Sequence, residues 1–284
     1  MNPYRKQFDA STAFPFEYVY RDSKSAQNEL PDHLHDWHEI VYIYSGRGTF
    51  FIDQTFALAE PGDLLLIPGN TIHRSFPDPA DPKLSTALFF SGTLVHGSTL
   101  GDTFSYMRCF ELAQRQRRYK LPTTMTEREQ IEALIESIHS EHIDKVQGYR
   151  HASLIRLQQL LLLINRMMGR AEQFQAATSI APRWMTNILA YIDENLEEQL
   201  GLAQLAARAA VTPSHFSRLF KKLTGLNVTE YVTTKRIIRA KELLARTDAQ
   251  IAEIAQQCGF ESLPHFHRMF KKMTGLTPAR YKKH

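Results

Sequence analysis

The chain has only two cysteines in 284 residues, Cys109 and Cys258. Two thiols so far apart, spaced unlike zinc ligands, exclude a disulfide framework and a cysteine-rich metal module. Cys258 falls on an apolar helical stripe and is expected in a core. Long apolar runs are missing as well. The longest aliphatic stretch, Leu160 to Ile164, falls far short of the roughly 20 residues that cross a bilayer. The opening residues, MNPYRKQFDAST, lack the apolar centre of a secretory signal. These absences leave a soluble, cytoplasmic chain with no membrane partner as the expectation.

Neither sign of charge dominates the whole. The net charge is +4, and 43% of residues are hydrophobic, enough for a full core. The balance is uneven along the chain, however. Residues 182–284 hold 16 Lys and Arg against 9 Asp and Glu, whereas residues 1–181 hold 18 against 21. A basic C-terminal third suits a polyanionic partner.

That basic third contains one unit written twice. LAQLAARAAVTPSHFSRLFKKLTGLNVTEYV begins at Leu202, and IAEIAQQCGFESLPHFHRMFKKMTGLTPARYK begins at Ile251. Phe216, Phe220, Gly225 and Tyr231 recur fifty residues on as Phe266, Phe270, Gly275 and Tyr281. Two copies are too few for a stacked solenoid. Each reads as helix–turn–helix. Leu202, Leu205, Ala206 and Ala209 mark a first helix, Pro213 suits the first turn of the next, and Gly225 closes it. In the later copy Asp248 is the expected N-cap of the leading helix. The second helix of each copy buries one stripe and turns another outward. Ser214, Ser217, Arg218 and Lys221 share a face, as do Pro264, His267, Arg268 and Lys271. A solvated surface helix has such a stripe too. Two copies in one frame, each with Arg at the same place, favour the major groove, where Arg reads guanine and Ser or His bonds base edges or phosphate.

This segment resembles the DNA-binding domain of the AraC/XylS transcriptional regulators over about 100 residues, from Arg183 to the C-terminus. CGFES…HFHRMFKKMTGLTPARY follows that family's signature closely. The resemblance implies two helix–turn–helix units joined by a long helix, here Thr229 to Arg246. It implies base contacts from Ser214, Ser217, Arg218, His265, His267 and Arg268. Lys221, Lys222, Lys271, Lys272 and the tail Lys282-Lys283 would engage phosphate. The first copy departs from the family in its small Ser214 and Ser217, where longer polar side chains are common.

Residues 1–100 read as β: EIVYIY, GTFFID, DLLLIP and STALFF are short apolar runs split by Gly, Pro and Asp. His33, His35, Glu39 and Gly46 stand in the spacing HxH, three residues, Glu, six residues, Gly; Gly62, Pro68 and His73 follow. The pattern resembles a cupin, a small jelly-roll barrel. Its second half departs from the pattern, with the inner glycine at Gly69 and Pro77 where an Asn is usual. Side chains alternate along a strand, so His33 and His35 share a face, and Val41, Ile43 and Ser45 share that of Glu39. His33, His35, Glu39 and His73 can converge inside a barrel. Three readings stay open: a divalent ion such as Fe, Ni, Mn or Zn, as in metal cupins; a metal-free polar pocket for a small effector; or framework histidines that tie loops. The AraC/XylS resemblance favours the effector pocket, with no cofactor. Trp37, Tyr42, Phe50, Phe51, Phe89 and Phe90 are candidates for stacking on a sugar ring, or for core packing.

From Thr103 the pattern turns helical. Thr126 and Glu129 suggest a capping box for a helix through His142, with Ile131, Leu134, Ile135 and Ile138 inward. His139 and His142 are expected at the surface, and Arg115 to Arg118 in a solvated loop. From Gly148 to Gly169, Leu154, Leu157, Leu161, Ile164 and Met168 step as a heptad seam. The family commonly dimerises through such a helix, so a homodimer through Leu154, Leu157, Leu161 and Ile164 is expected.

The expected fold is α+β. A cupin-like barrel (1–100) and a helical dimerisation segment (101–170) precede a linker (171–181) and an all-α double helix-turn-helix domain (182–284). The expected function is sequence-specific transcriptional regulation, by resemblance activation, with a sugar or related metabolite in the barrel and double-stranded DNA and RNA polymerase as partners. No catalysis is expected. The rival readings are a cupin metalloenzyme or metal-dependent sensor carrying a DNA-binding tail, and a constitutive architectural DNA binder.

Overall fold

A computed structural model describes residues 4–5, 8, 12–24, 33–95, 104–171 and 181–282. The chain forms two compact units, residues 6–180 and residues 181–284. The strands are β1 (Tyr4–Arg5), β2 (Phe16–Lys24), β3 (His33–Leu34), β4 (His38–Ser45), β5 (Gly48–Ile52), β6 (Thr55–Ala59), β7 (Leu64–Ile67), β8 (His73–Pro77), β9 (Lys83–Phe90) and β10 (Lys120–Leu121).

In the 6–180 unit, β3, β8, β5 and β6 lie side by side in one antiparallel sheet, and β10, β7, β4, β9 and β2 form the other. Strand parity explains the burial. Along β8, His73, Ser75 and Pro77 are buried while Arg74 and Phe76 are less so. β4 is buried almost throughout because both its faces are covered. Glu39 lies across from His73 of the opposite sheet, whereas His38 and Tyr42, of opposite parity, meet Phe110 and Glu132 of the helices.

Those helices are α1 (Arg108–Gln116), α2 (Met125–Asp144) and α3 (Tyr149–Ala171). They share one core with the strands, in which Tyr42, Leu64, Phe110, Ile131 and Leu157 are all buried. β10, between α1 and α2, pairs with β7. The segment expected as a separate helical element is therefore part of the same unit as the sheets.

Several local expectations are corrected. The capping box opening α2 is Thr124 with Glu127, not Thr126 with Glu129; the Glu127 carboxylate accepts from the Thr124 backbone N–H at 2.8 Å. Arg115 lies in the last turn of α1 and Arg117 caps it in a left-handed conformation, so the basic run is a helix terminus rather than a loop. His139 and His142 are half-buried, not surface residues. His139 stacks on Tyr20 with centroids 3.7 Å apart, and His142 lies among Phe14, Phe16, Tyr18 and Tyr149.

The heptad seam of α3 is also corrected. Leu157, Leu161 and Ile164 are 0% exposed inside their own unit. They pack in the core with the sheet and helices and leave no outer surface for the expected homodimer contact; of its four residues only Leu154 is half-buried rather than fully buried. A 3-4 apolar spacing marks a buried stripe and says nothing of which body covers it. Among the described residues, the large apolar side chains left exposed on α2, α3 and the turn between them are Met125 at the start of α2 and, around that turn, Ile143, Val146 and Ile155. Of the expected linker, residues 172–180 lie outside the described residues.

The 181–284 unit is all helical: α4 (Arg183–Glu194), α5 (Leu202–Arg208), α6 (Pro213–Thr224), α7 (Val228–Arg246), α8 (Ile251–Gln257), α9 (Leu263–Thr274) and α10 (Pro278–Tyr281). α7 opens on a capping box of Asn227 and Glu230. The N-cap of α8 is Gln250, whose backbone N–H donates to Glu253 at 3.0 Å; Asp248 falls in the extended connector and does not cap it. Cys258 is fully buried, as its apolar stripe predicts. The copies close on matching phenylalanines, Phe216 and Phe220, Phe266 and Phe270, each fully buried and each contributing about 1.5–3 kcal/mol.

Candidate functional site

Two sites emerge, one exposed and one buried. The exposed one is the pair α6 and α9. Thr212 and Ser262 cap them, each side-chain oxygen accepting the N–H of the histidine three residues on, His215 at 3.3 Å and His265 at 3.4 Å. Gly225 and Gly275 end them at φ +78° and +76°, the left-handed closure that glycine adopts without strain. With both ends and the inner stripe set alike, the outer stripes match. Ser214, Arg218, Lys221 and Lys222 are exposed on α6, and His265, Arg268, Lys271 and Lys272 on α9; Ser217 and His267 are half-buried at equivalent places. Ten of the twelve residues expected to meet DNA thus lie on the outer side of these helices; Lys282 instead donates to the Ala249 carbonyl at 2.6 Å, and Lys283 lies outside the described residues. The stripe spacing passes over His215, but the fifty-residue repeat pairs it with His265, and it is exposed too.

The buried site lies between the two sheets. His35 is 1% exposed, His73 3% and Glu39 6%. Nε2 of His35 lies 3.0 Å from Glu39 Oε2, and Nε2 of His73 lies 3.1 Å from the same oxygen. Each ring directs Nδ1 at a backbone carbonyl, Trp37 O at 2.7 Å and Thr71 O at 2.9 Å. A carbonyl accepts only, so Nδ1 of each ring donates to it, and Nε2 is the atom turned toward Glu39. Burial alone would raise the Glu39 carboxyl, but the hydrogen bonds from His35 and His73 outweigh it and hold the group well below the usual carboxylate range. Burial pushes His35 down. The backbone of His33 pairs with His73, but its side chain lies outside the described residues.

His38, in the same sequence motif, is not part of this cluster. It points to the helix side, where burial lowers it to about 4 and Nδ1 accepts the Gly69 N–H at 3.2 Å. Among the aromatic residues, Phe89 meets His35 edge-on at 5.5 Å. Tyr42 and Phe90 lie on the helix-covered face of their sheet and are core. The sequence pattern passes over Phe8, which stacks on Trp37 at 4.2 Å and meets His35 edge-on at 5.4 Å.

The cupin pattern implies a divalent ion here, and the described residues fit one. His35, Glu39 and His73 each offer one ligand atom, all within 4.8 Å of one another. Ligands around a four-coordinate zinc lie about 3.3 Å apart, close to the spacing of the Glu39 oxygen and the two imidazoles. Carbonyl acceptors behind both rings are the usual support for metal-binding histidines.

An AraC-like ligand-binding domain matches residues 17–161, and a helix-turn-helix domain matches residues 205–284. The chain belongs to the AraC family of transcriptional regulators. Its β-rich ligand-binding domain precedes a helix-turn-helix DNA-binding domain, as the α+β expectation held. This AraC-family chain is similar to the transcriptional activator RhaR of Mannheimia succiniciproducens, at 24% identity over 90% of this chain and 88% of RhaR. It is 26% identical to the transcriptional activator RhaS of Klebsiella pneumoniae over 82% of this chain and 81% of RhaS. Among solved structures, the DNA-binding domain of the transcriptional factor AdpA, in complex with a target DNA, aligns at 34% identity over 34% of this chain and 87% of that one, with a TM-score of 0.34. The relatives are named as regulators, in accord with a chain that is not an enzyme. No helix among the described residues of this AraC-family protein is long and apolar enough to cross a membrane.

Proposed function

We propose that this regulator reads two successive major grooves with α6 and α9, about 34 Å apart along one face of the duplex. Arg218 and Arg268 contact bases, helped by Ser214, Ser217, His265 and His267. Lys221, Lys222, Lys271 and Lys272 neutralise phosphates. A small effector, a sugar or related metabolite, docks against His35, Glu39 and His73 between the sheets. Its binding alters how the DNA-binding domains engage their half-sites and RNA polymerase, and the outcome is activation. The observation that carries this reading is the matched exposure of Arg218 and Arg268 on two equivalent helices. The relatives named RhaR and RhaS are activators, which supports the sign.

A selection of DNA from a random pool tests it. The full chain should enrich a site with two blocks, and the Arg268→Ala variant should lose one of them. A thermal-shift screen with sugars and small acids tests the effector arm. No shift with any compound would leave a constitutive DNA binder.

A second reading is favoured by the three ligand atoms within 4.8 Å of one another. In it, His35, Glu39 and His73 hold a divalent metal, which supplies a Lewis-acid anchor for the effector. Metal analysis of protein purified without an affinity tag separates the two readings. Dimerisation belongs to the proposal as well, through the exposed Ile143, Val146 and Ile155 rather than the buried seam of α3. Sedimentation of a variant with serine at these three positions checks it.

A further inference from the structure

On the side of the long helix, the second helix-turn-helix copy meets the connection that leads from α4 into the first. Arg236, on α7, donates from Nε to the Leu196 carbonyl at 2.8 Å and from its terminal nitrogen to the Glu198 carbonyl at 2.6 Å. Both carbonyls belong to the turn between α4 and α5, at the entrance to the first copy. Beside Arg236 in sequence, Lys235 pairs with Asp193 near the end of α4 at 2.8 Å. The end of α4 and the connection into the first copy are thus tied to α7 by two adjacent cations.

The second copy reaches the same place through its turn. Gly259 stands between α8 and α9 at φ +77°. A Cβ there would collide with the Leu196 carbonyl oxygen and crowd the Arg236 guanidinium. The turn backbone of the second copy therefore lies against the connection that leads from α4 into the first copy. Two residues on, Glu261 accepts from Gln199 Nε2 at 3.0 Å. One seam joins three segments distant in sequence: 196–199, Arg236 and 259–261.

We propose that Arg236 is a positioning residue for DNA recognition, a clasp that sets the angle and separation of α6 and α9 by holding the two turns together. It lies outside the outer stripes and touches no base in this reading. A guanidinium suits the role because its planar fork bonds two carbonyls at once and keeps its charge when half-buried. Two binding helices held rigidly act as one bidentate reader. Loosened, they keep their separate affinities but lose effective concentration and become tolerant of spacing.

The proposal rests on both helices facing DNA, so its test keeps the two ideas apart. The wild-type full chain is used to select a two-block DNA site from a random pool. A series of duplexes then carries base pairs inserted or removed between the blocks. Loss of one block with Arg268→Ala checks the DNA-facing reading by itself; a wild-type selection with a single block overturns both. For Arg236→Ala the expected result is a flattened spacing profile, with affinity for the optimal site down by about tenfold or more and affinity for a single block unchanged. Arg236→Lys keeps a charge but cannot fork across both carbonyls, and should fail to restore the profile. Gln199→Ala, an exposed substitution, should flatten it slightly and serves if Arg236→Ala does not fold, judged by helical circular dichroism. Equal weakening at every spacing and on the single block, or a profile as sharp as wild type, overturns the clasp.

Discussion

The two helix-turn-helix copies match on their outer faces and part company in their turns. At the position of Gly259 in the second copy, the first has Ala210, also left-handed at φ +54°. Alanine there bears a cost of about 1–2 kcal/mol, and the first copy accepts it because its turn is exposed. The second copy has no such choice, since its turn lies against the Leu196 carbonyl. The repeat is symmetric where it faces outward and asymmetric in its turns, only one of which packs against the connection after α4. A duplicated unit can keep one stripe for a ligand common to both copies. It cannot keep identical turns when only one of them packs against that connection.

The sharpest way to break this comparison is to exchange the turn residues. Gly259→Ala should destabilise the 181–284 unit by about 3 kcal/mol or more, combining left-handed strain with a backbone collision; thermal denaturation measures it. Next in size is the outer stripe. Arg268→Ala should cost about 1–3 kcal/mol of specific binding and relax base preference, with little change in melting temperature. Arg218→Ala should cost less, since small Ser214 and Ser217 surround it where histidines flank Arg268. Competition between specific and random DNA decides, and equal losses would show that the two copies read equally. The reverse turn exchange, Ala210→Gly, should stabilise by about 0.5–1 kcal/mol; a destabilisation in the same thermal assay would show that the first turn is held by contacts. The smallest effects belong to the lysines. Lys221→Ala and Lys271→Ala should each reduce the salt slope of binding by about 1, without changing base preference. A titration across salt concentrations reads this directly.

Much of this molecule was legible from local pattern. Helix ends followed from Pro213, Gly225 and Gly275, and the outward stripes from spacing, because solvent exposure leaves a helical period in the residue types. The HxH-to-Glu spacing marked His35 and Glu39, and the later Gly62, Pro68 and His73 marked the ring that meets them. Less local features were not legible. The Leu157, Leu161 and Ile164 stripe has the period of a coiled coil, and only the folded unit shows that sheet and helices already cover it. The ring stacking of His139 on Tyr20 joins residues more than a hundred positions apart, and no spacing rule reaches that far. His38 and Glu39 are neighbours on β4, so strand parity turns them to opposite faces, whereas His35 sits in the bend between β3 and β4, not on a strand with His33, and the motif's letters do not show that bend.

By itself the amino-acid order determined the elements and their polarity: a basic, duplicated helical third, a β-rich first third, and the stripe each helix buries. These follow from backbone sterics, capping and the burial of apolar surface, which act over a few residues at a time. Tertiary structure alone decided which buried stripe meets which neighbour, that Nδ1 of both histidines is taken by carbonyls so that Nε2 turns inward, and that one turn tolerates alanine while its twin demands glycine. Those outcomes depend on atoms brought together from distant parts of the chain, where close packing leaves room for only one arrangement.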